Sequence, residues 1–197
     1  MVKLINRIIL KIKREYFVFY YKTKYSHINF EGIRFNGFPI FQFNGTTKLG
    51  NNLFFNSNIN ISHYYLGLNH PCIIDVWKNA YLEIGDNCGF SAVCINCANR
   101  IVIGKYVLFG FNVTIIDTDF HPIDYLERRV SIEGAMSRPI VIGDDVLIGA
   151  NSIILKGATI GDRSIIGAGS VVTQNIPPDE IWAGNPARFI RSLIKEF

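Results

Sequence analysis

Residues 140–172 read IVIGDDVLIGANSIILKGATIGDRSIIGAGSVV, and a bulky aliphatic returns at every sixth position: Ile142, Ile148, Ile154, Ile160, Ile166 and Val172. Glycine follows at Gly143, Gly149, Gly161 and Gly167, and the fourth residue after each aliphatic is small or β-branched: Val146, Ser152, Ala158, Ser164 and Ser170. Six residues are too few for a helix pair but fit a short strand with a tight turn. Three such units close a triangular coil, and successive coils stack their aliphatics into one interior column. Glycine after the aliphatic lets the backbone turn without a Cβ clash.

Upstream the same unit recurs in other phases, at Leu49, Phe55 and Ile61, then Ile84 and Phe90, then Ile103, Phe109 and Ile115. Phase changes at irregular stretches are what loops inserted between regular coils produce. The longest interruption separates Ile115 from Ile142 and holds Asp117-Thr-Asp119-Phe-His121-Pro-Ile-Asp124, then Glu127, Arg128, Arg129, Glu133 and Arg138. Long polar insertions on a rigid scaffold are favoured places for function. His27, His63 and His70 lie in the less regular N-terminal part, so His121 stands out.

The chain has 197 residues, 49% apolar and 18% charged, with a mean hydropathy of +0.20. That composition suits one globular domain and excludes a disordered chain. The longest apolar run, Tyr16–Tyr21, is six residues, against the ~20 of a spanning helix. Cys72, Cys88, Cys94 and Cys97, with no signal-peptide pattern, lead us to expect a reducing cytoplasm. Cys94-x-x-Cys97 has the spacing of half a zinc site, but no second pair completes it, so no metal is expected.

Residues 1–25 carry seven basic groups and one acid, Glu15, a local charge of +6 that leaves −2 for the rest of the chain. A basic patch at one end, without a nucleic-acid motif, argues against a nucleic-acid partner. Leu4, Ile5, Ile8, Ile9 and Ile12 recur at helical spacing, giving an amphipathic helix with a cationic face. Such a helix either lies on an anionic membrane surface or docks on the body or a neighbouring subunit. At the other end Pro177 and Pro178 stop the repeats. Asn185 as N-cap, Pro186, and Phe189, Ile190, Leu193, Ile194 and Phe197 on one face predict a short terminal helix.

The run Ile142–Val172 followed by Asn185-Pro186-Ala187-Arg188 resembles the hexapeptide-repeat acyltransferases, and D-x-D-F-H-P before a basic stretch and P-I-V-I-G resembles their sugar O-acetyltransferases of the maltose, galactoside and nodulation type. The resemblance implies an all-β fold, a left-handed parallel β-helix. Residues 1–48 would be a helical and aromatic extension, 49–176 the repeats with a loop at about 117–138, and 177–197 the closing segment. It implies an acetyl-CoA-dependent O-acetyltransferase in surface-polysaccharide assembly, with a sugar or glycan acceptor and a homotrimer holding its sites between subunits. His121 matches the catalytic base, with Asp119 or Asp117 to orient it, and the N–H of Ala150 matches the oxyanion donor. Ser91 and Asn112 would meet the acceptor, and Gly149, Ala150, Gly167, Ala168, Thr173, Pro178, Arg188 and Arg191 would bind acetyl-CoA. Gln174 and Leu147 depart from the Lys and Trp frequent in that family. Other acceptors (an antibiotic, serine), a zinc carbonic-anhydrase type and a non-catalytic scaffold are the competing readings; the three-histidine ligand set of the carbonic-anhydrase type is missing.

Overall fold

The computed structural model describes residues 2–58 and 68–193, and of residues 2–10 and 14 the backbone alone. Short strands follow one another around a triangle. The first coil is β1 (Arg34–Gly37), β2 (Ile40–Phe43) and β3 (Thr46–Leu49); the second is β4 (Phe54–Ser57), β5 (Ile73–Val76) and β6 (Tyr81–Ile84). The third is β7 (Gly89–Ser91), β8 (Cys94–Cys97) and β9 (Arg100–Ile103), and the fourth β10 (Leu108–Phe109), β11 (Thr114–Ile116) and β12 (Ile140–Ile142). The fifth is β13 (Leu147–Ile148), β14 (Ile153–Leu155) and β15 (Thr159–Ile160), followed by β16 (Ile165–Ile166) and β17 (Val171–Val172). Each strand pairs in parallel with its counterpart in the next coil, making three sheets. Sheet 1 runs through β1, β4, β7, β10, β13 and β16, sheet 2 holds β2, β5, β8, β11, β14 and β17, and sheet 3 holds β3, β6, β9, β12 and β15.

The hexad positions point inward. Phe55, Ile84, Phe90, Ile103 and Phe109 are buried, as is every one of the six aliphatics of the quoted stretch; Ile61 lies outside the described residues. Down sheet 1, Phe35, Phe55, Phe90 and Phe109 stack nearly parallel with centroids 5.9, 4.8 and 4.9 Å apart. Coils stacked at β-sheet spacing bring corner backbones close together. A Cβ on Gly149 would lie 2.4 Å from the Ala168 nitrogen, and one on Gly110 2.5 Å from the Ala150 nitrogen.

The expected boundary at Leu49 is too late, because β1–β3 already form a full coil. Its inward residues Phe35, Phe41 and Thr47 keep the period of six but are not aliphatic. Beneath them lies α1 (Val2–Lys24), which packs on the open end of the solenoid. Strand β2 is the edge of sheet 2, and tyrosines satisfy its exposed backbone: Tyr21 Oη accepts from Phe41 N–H at 3.1 Å, and Tyr25 Oη donates to Phe41 O and accepts from Phe43 N–H, both at 3.2 Å. Among the described residues no helix is long and apolar enough to cross a membrane.

The expected terminal helix is a strand. Here β18 (Glu180–Ala183) is the last parallel rung of sheet 1, and β19 (Arg188–Ser192) folds back antiparallel to it. An open rung presents unpaired backbone groups, and pairing with the tail outweighs a helical spacing only a few residues long. Of that spacing, Ile194 and Phe197 lie outside the described residues.

Cys94 and Cys97 stand three apart on one strand, Cys97 inward and buried and Cys94 half-buried on the outer face. Opposite faces of a sheet cannot share one ion, which removes the zinc reading of that pair. Burial pushes the Cys97 thiol up to about 12 and that of Cys88 to about 11.

If the inward phenylalanines carry the N-terminal half of the solenoid, Phe90→Ala should lower unfolding free energy by ~3–5 kcal/mol. Phe54→Ala, one position outward of the stack and part-exposed, should cost ~1 kcal/mol or less. Denaturant titration of both variants checks the ordering, and equal losses would contradict it.

Candidate active site

The insertion leaves sheet 2 at the end of β11 and returns at β12. Asp117, the first residue out, is fully buried. Its carboxylate accepts the N–H groups of Ala98 at 2.7 Å, Asn99 at 2.9 Å and Arg100 at 2.8 Å, the turn between β8 and β9 in the coil below. Three converging backbone donors are what a buried carboxylate needs to remain solvated by protein. Asp117 therefore staples the loop to the third coil and does not orient His121. The neck then closes on itself: Asp117 O accepts from Arg138 N–H at 2.9 Å, Thr118 bridges Ser137, and Asp119 N–H donates to Met136 O at 3.0 Å.

The next four residues place one side chain in solvent by anchoring its neighbours. Asp119 Oδ1 pairs with Lys156 Nζ at 2.6 Å, both side chains about three-quarters buried, and Asp119 Oδ2 is buried without a partner. Asp119 thus bonds Lys156, and among the described residues no hydrogen bond joins it to His121. Phe120 has φ +62°, a left-handed conformation unusual for an aromatic residue, held by its N–H on Thr118 Oγ1 at 3.2 Å and its ring against Trp77. That reversal turns His121 outward, where it is exposed, while Pro122 is buried. Beyond it the loop carries exposed Ile123, Leu126, Val130 and Ile132.

A second group gathers along the opposite edge of sheet 2, where sheet 1 hands over to it. Ser91 O accepts Asn112 N–H at 3.1 Å, Asn112 Nδ2 donates to Asn151 Oδ1 at 3.3 Å, and Asn69 N–H donates to Asn112 Oδ1 at 3.2 Å. Both ends of the Asn112 amide are engaged in this ladder. Gly149 and Gly167 donate their N–H groups to Ile166 O and Trp182 O in the coil above, whereas the N–H of Ala150 takes no part in the coil-to-coil ladder. Gly149, Ala150, Gly167 and Ala168 line this edge with small side chains. Thr173 and Pro178 lie on the other two edges, away from that track.

Arg188 and Arg191 sit on β19, not on a helix. A register shift between Ile181 and Trp182 pairs Arg188 with Ala183 and Arg191 with Ile181. Ala183 and Ile181 alternate onto the same outer face, so the irregularity brings the two arginines to one side.

His121 and Ala150 are not brought together within the chain. From Ala150 to Lys156, beneath the loop, the backbone crosses the width of sheet 2, on the order of 15–20 Å at ~3.3 Å per residue.

The stretch 139–174 matches the family described as "Hexapeptide repeat of succinyl-transferase". The galactoside O-acetyltransferase of Escherichia coli (strain K12) is 47% identical over 94 residues, which are 47% of this chain and 44% of that protein. The chain carries this repeat and is similar to proteins named acetyltransferases over about half of its length. The crystal structure of a hexapeptide-repeat-containing acetyltransferase from Vibrio cholerae O1 biovar eltor, complexed with acetyl coenzyme A, is 29% identical with a TM-score of 0.52, over 83% of this chain and 72% of that one. The chain spans about half the length of the curated relatives it matches.

Sequence reasoning missed Lys156, the partner of Asp119; a lysine one residue after the β14 strand in an otherwise uncharged stretch of repeat was its only signal. With three charge-assisted bonds at stake, Asp117→Ala should cost at least ~3 kcal/mol. Asp119→Asn, losing one charge-assisted bond and keeping an oxygen for Lys156, should cost less, on the order of 1–2 kcal/mol. Amide exchange at Ala98, Asn99 and Arg100 checks the difference, with faster exchange in the Asp117 variant alone.

Proposed function

We propose that this chain transfers an acetyl group from acetyl-CoA to a hydroxyl of a sugar or glycan, as in surface-polysaccharide assembly, on a left-handed β-helix. The observation that carries the reading is the anchored D-x-D-F-H-P neck, which holds its neighbours and leaves a single histidine in solvent. Support also comes from the relative named galactoside O-acetyltransferase.

An alcohol is a poor nucleophile at neutral pH. Neutral His121 removes its proton as the oxygen attacks the thioester carbonyl. The negative charge that develops on the carbonyl oxygen needs a fixed donor, and the uncommitted N–H of Ala150 is that donor. As the C–S bond breaks, the proton held by His121 passes to the departing thiolate, so the base is restored. Acetyl-CoA supplies the thioester. The small-residue edge at Gly149, Ala150, Gly167 and Ala168 admits a chain close to the backbone, and Arg188 and Arg191 meet its phosphates. Ser91 faces the acceptor. No step calls for a metal.

Because base and donor lie on opposite edges, His121 of one copy works beside Ala150 of the next, and a closed ring of three copies repeats the arrangement. The exposed Ile123, Leu126, Val130 and Ile132 are the apolar surface such an assembly covers.

His121→Ala should lose ~10²–10⁴-fold in turnover while melting at an unchanged temperature, since the side chain is exposed. Release of free thiol from acetyl-CoA, screened over sugars, nucleotide sugars, serine and antibiotics, identifies the acceptor and then tests the variant. Near-normal turnover by His121→Ala would sink the mechanism.

A further inference from the structure

Among its described side chains, helix α1 has two apolar faces, and one of them packs on the body. The inner face, Phe17, Val18 and Tyr21, packs on the first coil: Phe17 meets Phe35 and Phe38 edge-on at 5.4 and 5.6 Å, and Tyr21 meets Phe41 at 5.2 Å. At about 100° per residue, Ile12, Tyr16, Phe19, Tyr20 and Thr23 fall on the opposite side. They are open to solvent: Tyr16 is 69% exposed, Phe19 66% and Ile12 60%. In the sequence, the spacing of three and four that continues through them begins at Leu4.

The charges frame this stripe. Lys11 and Lys22 fall along one flank and Lys13 and Lys24 along the other, all exposed. Lys24 Nζ lies 5.7 Å from the centre of the Tyr20 ring. Glu15 is the single acid of the first 25 residues. An apolar, aromatic strip bordered on both sides by ammonium groups matches a layer that is apolar inside and anionic at its surface. A second copy of the same strip would set lysine rows against each other with one acid per chain to offset them.

We propose that the outward face of α1 seats the protein on an anionic lipid surface, with Ile12, Tyr16, Phe19 and Tyr20 entering the interface and Lys11, Lys13, Lys22 and Lys24 meeting the headgroups. The helix lies in the plane of the surface, since no described helix is apolar enough to cross. The body stands on it through Phe17, Tyr21 and Tyr25. This inference is independent of acetyl transfer, because neither face of α1 contributes to the site.

The test sediments the intact chain with vesicles of phosphatidylcholine alone and of equimolar phosphatidylcholine and phosphatidylglycerol, at low and high salt. Binding should require the anionic lipid and weaken with salt. Lys11→Ser/Lys22→Ser should weaken it by roughly 10–30-fold, as expected for ~1 kcal/mol per basic side chain near an anionic leaflet. Tyr16→Ser/Phe19→Ser should weaken it at least as much while circular dichroism and the melting temperature stay unchanged, because both side chains are exposed. A Tyr16→Trp variant should shift its emission to the blue with anionic vesicles. The proposal is overturned if the intact chain ignores anionic vesicles, if the aromatic variant binds as well as the parent, or if that variant changes the oligomeric state instead of vesicle binding.

Discussion

Coils that stack at strand spacing leave no room for a Cβ where one corner lies under the next. At Gly110 and Gly149 the neighbouring backbone nitrogen stands where that carbon would be, 2.5 and 2.4 Å away. The same ladder that builds the solenoid therefore confines part of this edge to Gly and Ala, beside the Asn112–Asn151 pair. What remains there is backbone, including the free N–H of Ala150, and a track of Gly and Ala. Such an edge can approach a ligand closely but offers no acid or base of its own. A group that titrates must come from outside the repeat, and in the proposed mechanism it is His121 of the insertion between β11 and β12. Asp117 makes that insertion compatible with the stack by spending its carboxylate on three N–H groups of the coil below.

The central coils were legible because their interior is aliphatic and strictly spaced, from Ile142 to Val172, and the loop was legible as the gap in that spacing. The first coil was not, although Phe35, Phe41 and Thr47 keep the period. Its interior faces the aromatic side chains of α1 rather than another coil, so aromatics and a threonine replace the aliphatics. At the other end the spacing of Phe189, Ile190 and Leu193 suggested a helix, while the open rung Glu180–Ala183 demanded a partner strand. Tertiary pairing settled that conflict, and the irregularity in the hairpin kept Arg188 and Arg191 on one side.

The site was legible in its residue types and not in its geometry. A motif with Asp117, Asp119 and His121 marks a candidate functional loop, but two carboxylates at even spacing look equivalent in a sequence. Burial separates them: one holds the turn of another coil, and the other holds Lys156. Nothing in a linear pattern gives that, because the partners lie 17–19 and 37 residues away. Similarly, Asn112 looked available to an acceptor, and stacking with Asn151 and the approach of Asn69 engage both ends of its amide.

The proposed site depends on one placement, His121 and Ala150 on opposite edges of sheet 2, so that it forms between copies. Two variants divide it: His121→Ala removes the base, and Ala168→Trp, at an exposed position on the small-residue edge, blocks the track beside Ala150. Each alone should be inactive. Co-expressed in equal amounts, they should regain activity approaching about a quarter of the sites in randomly mixed rings, because some neighbours then pair an intact His121 with an intact edge. If the mixture stays as inactive as its components while assembling normally, base and donor belong to the same copy and the account is wrong.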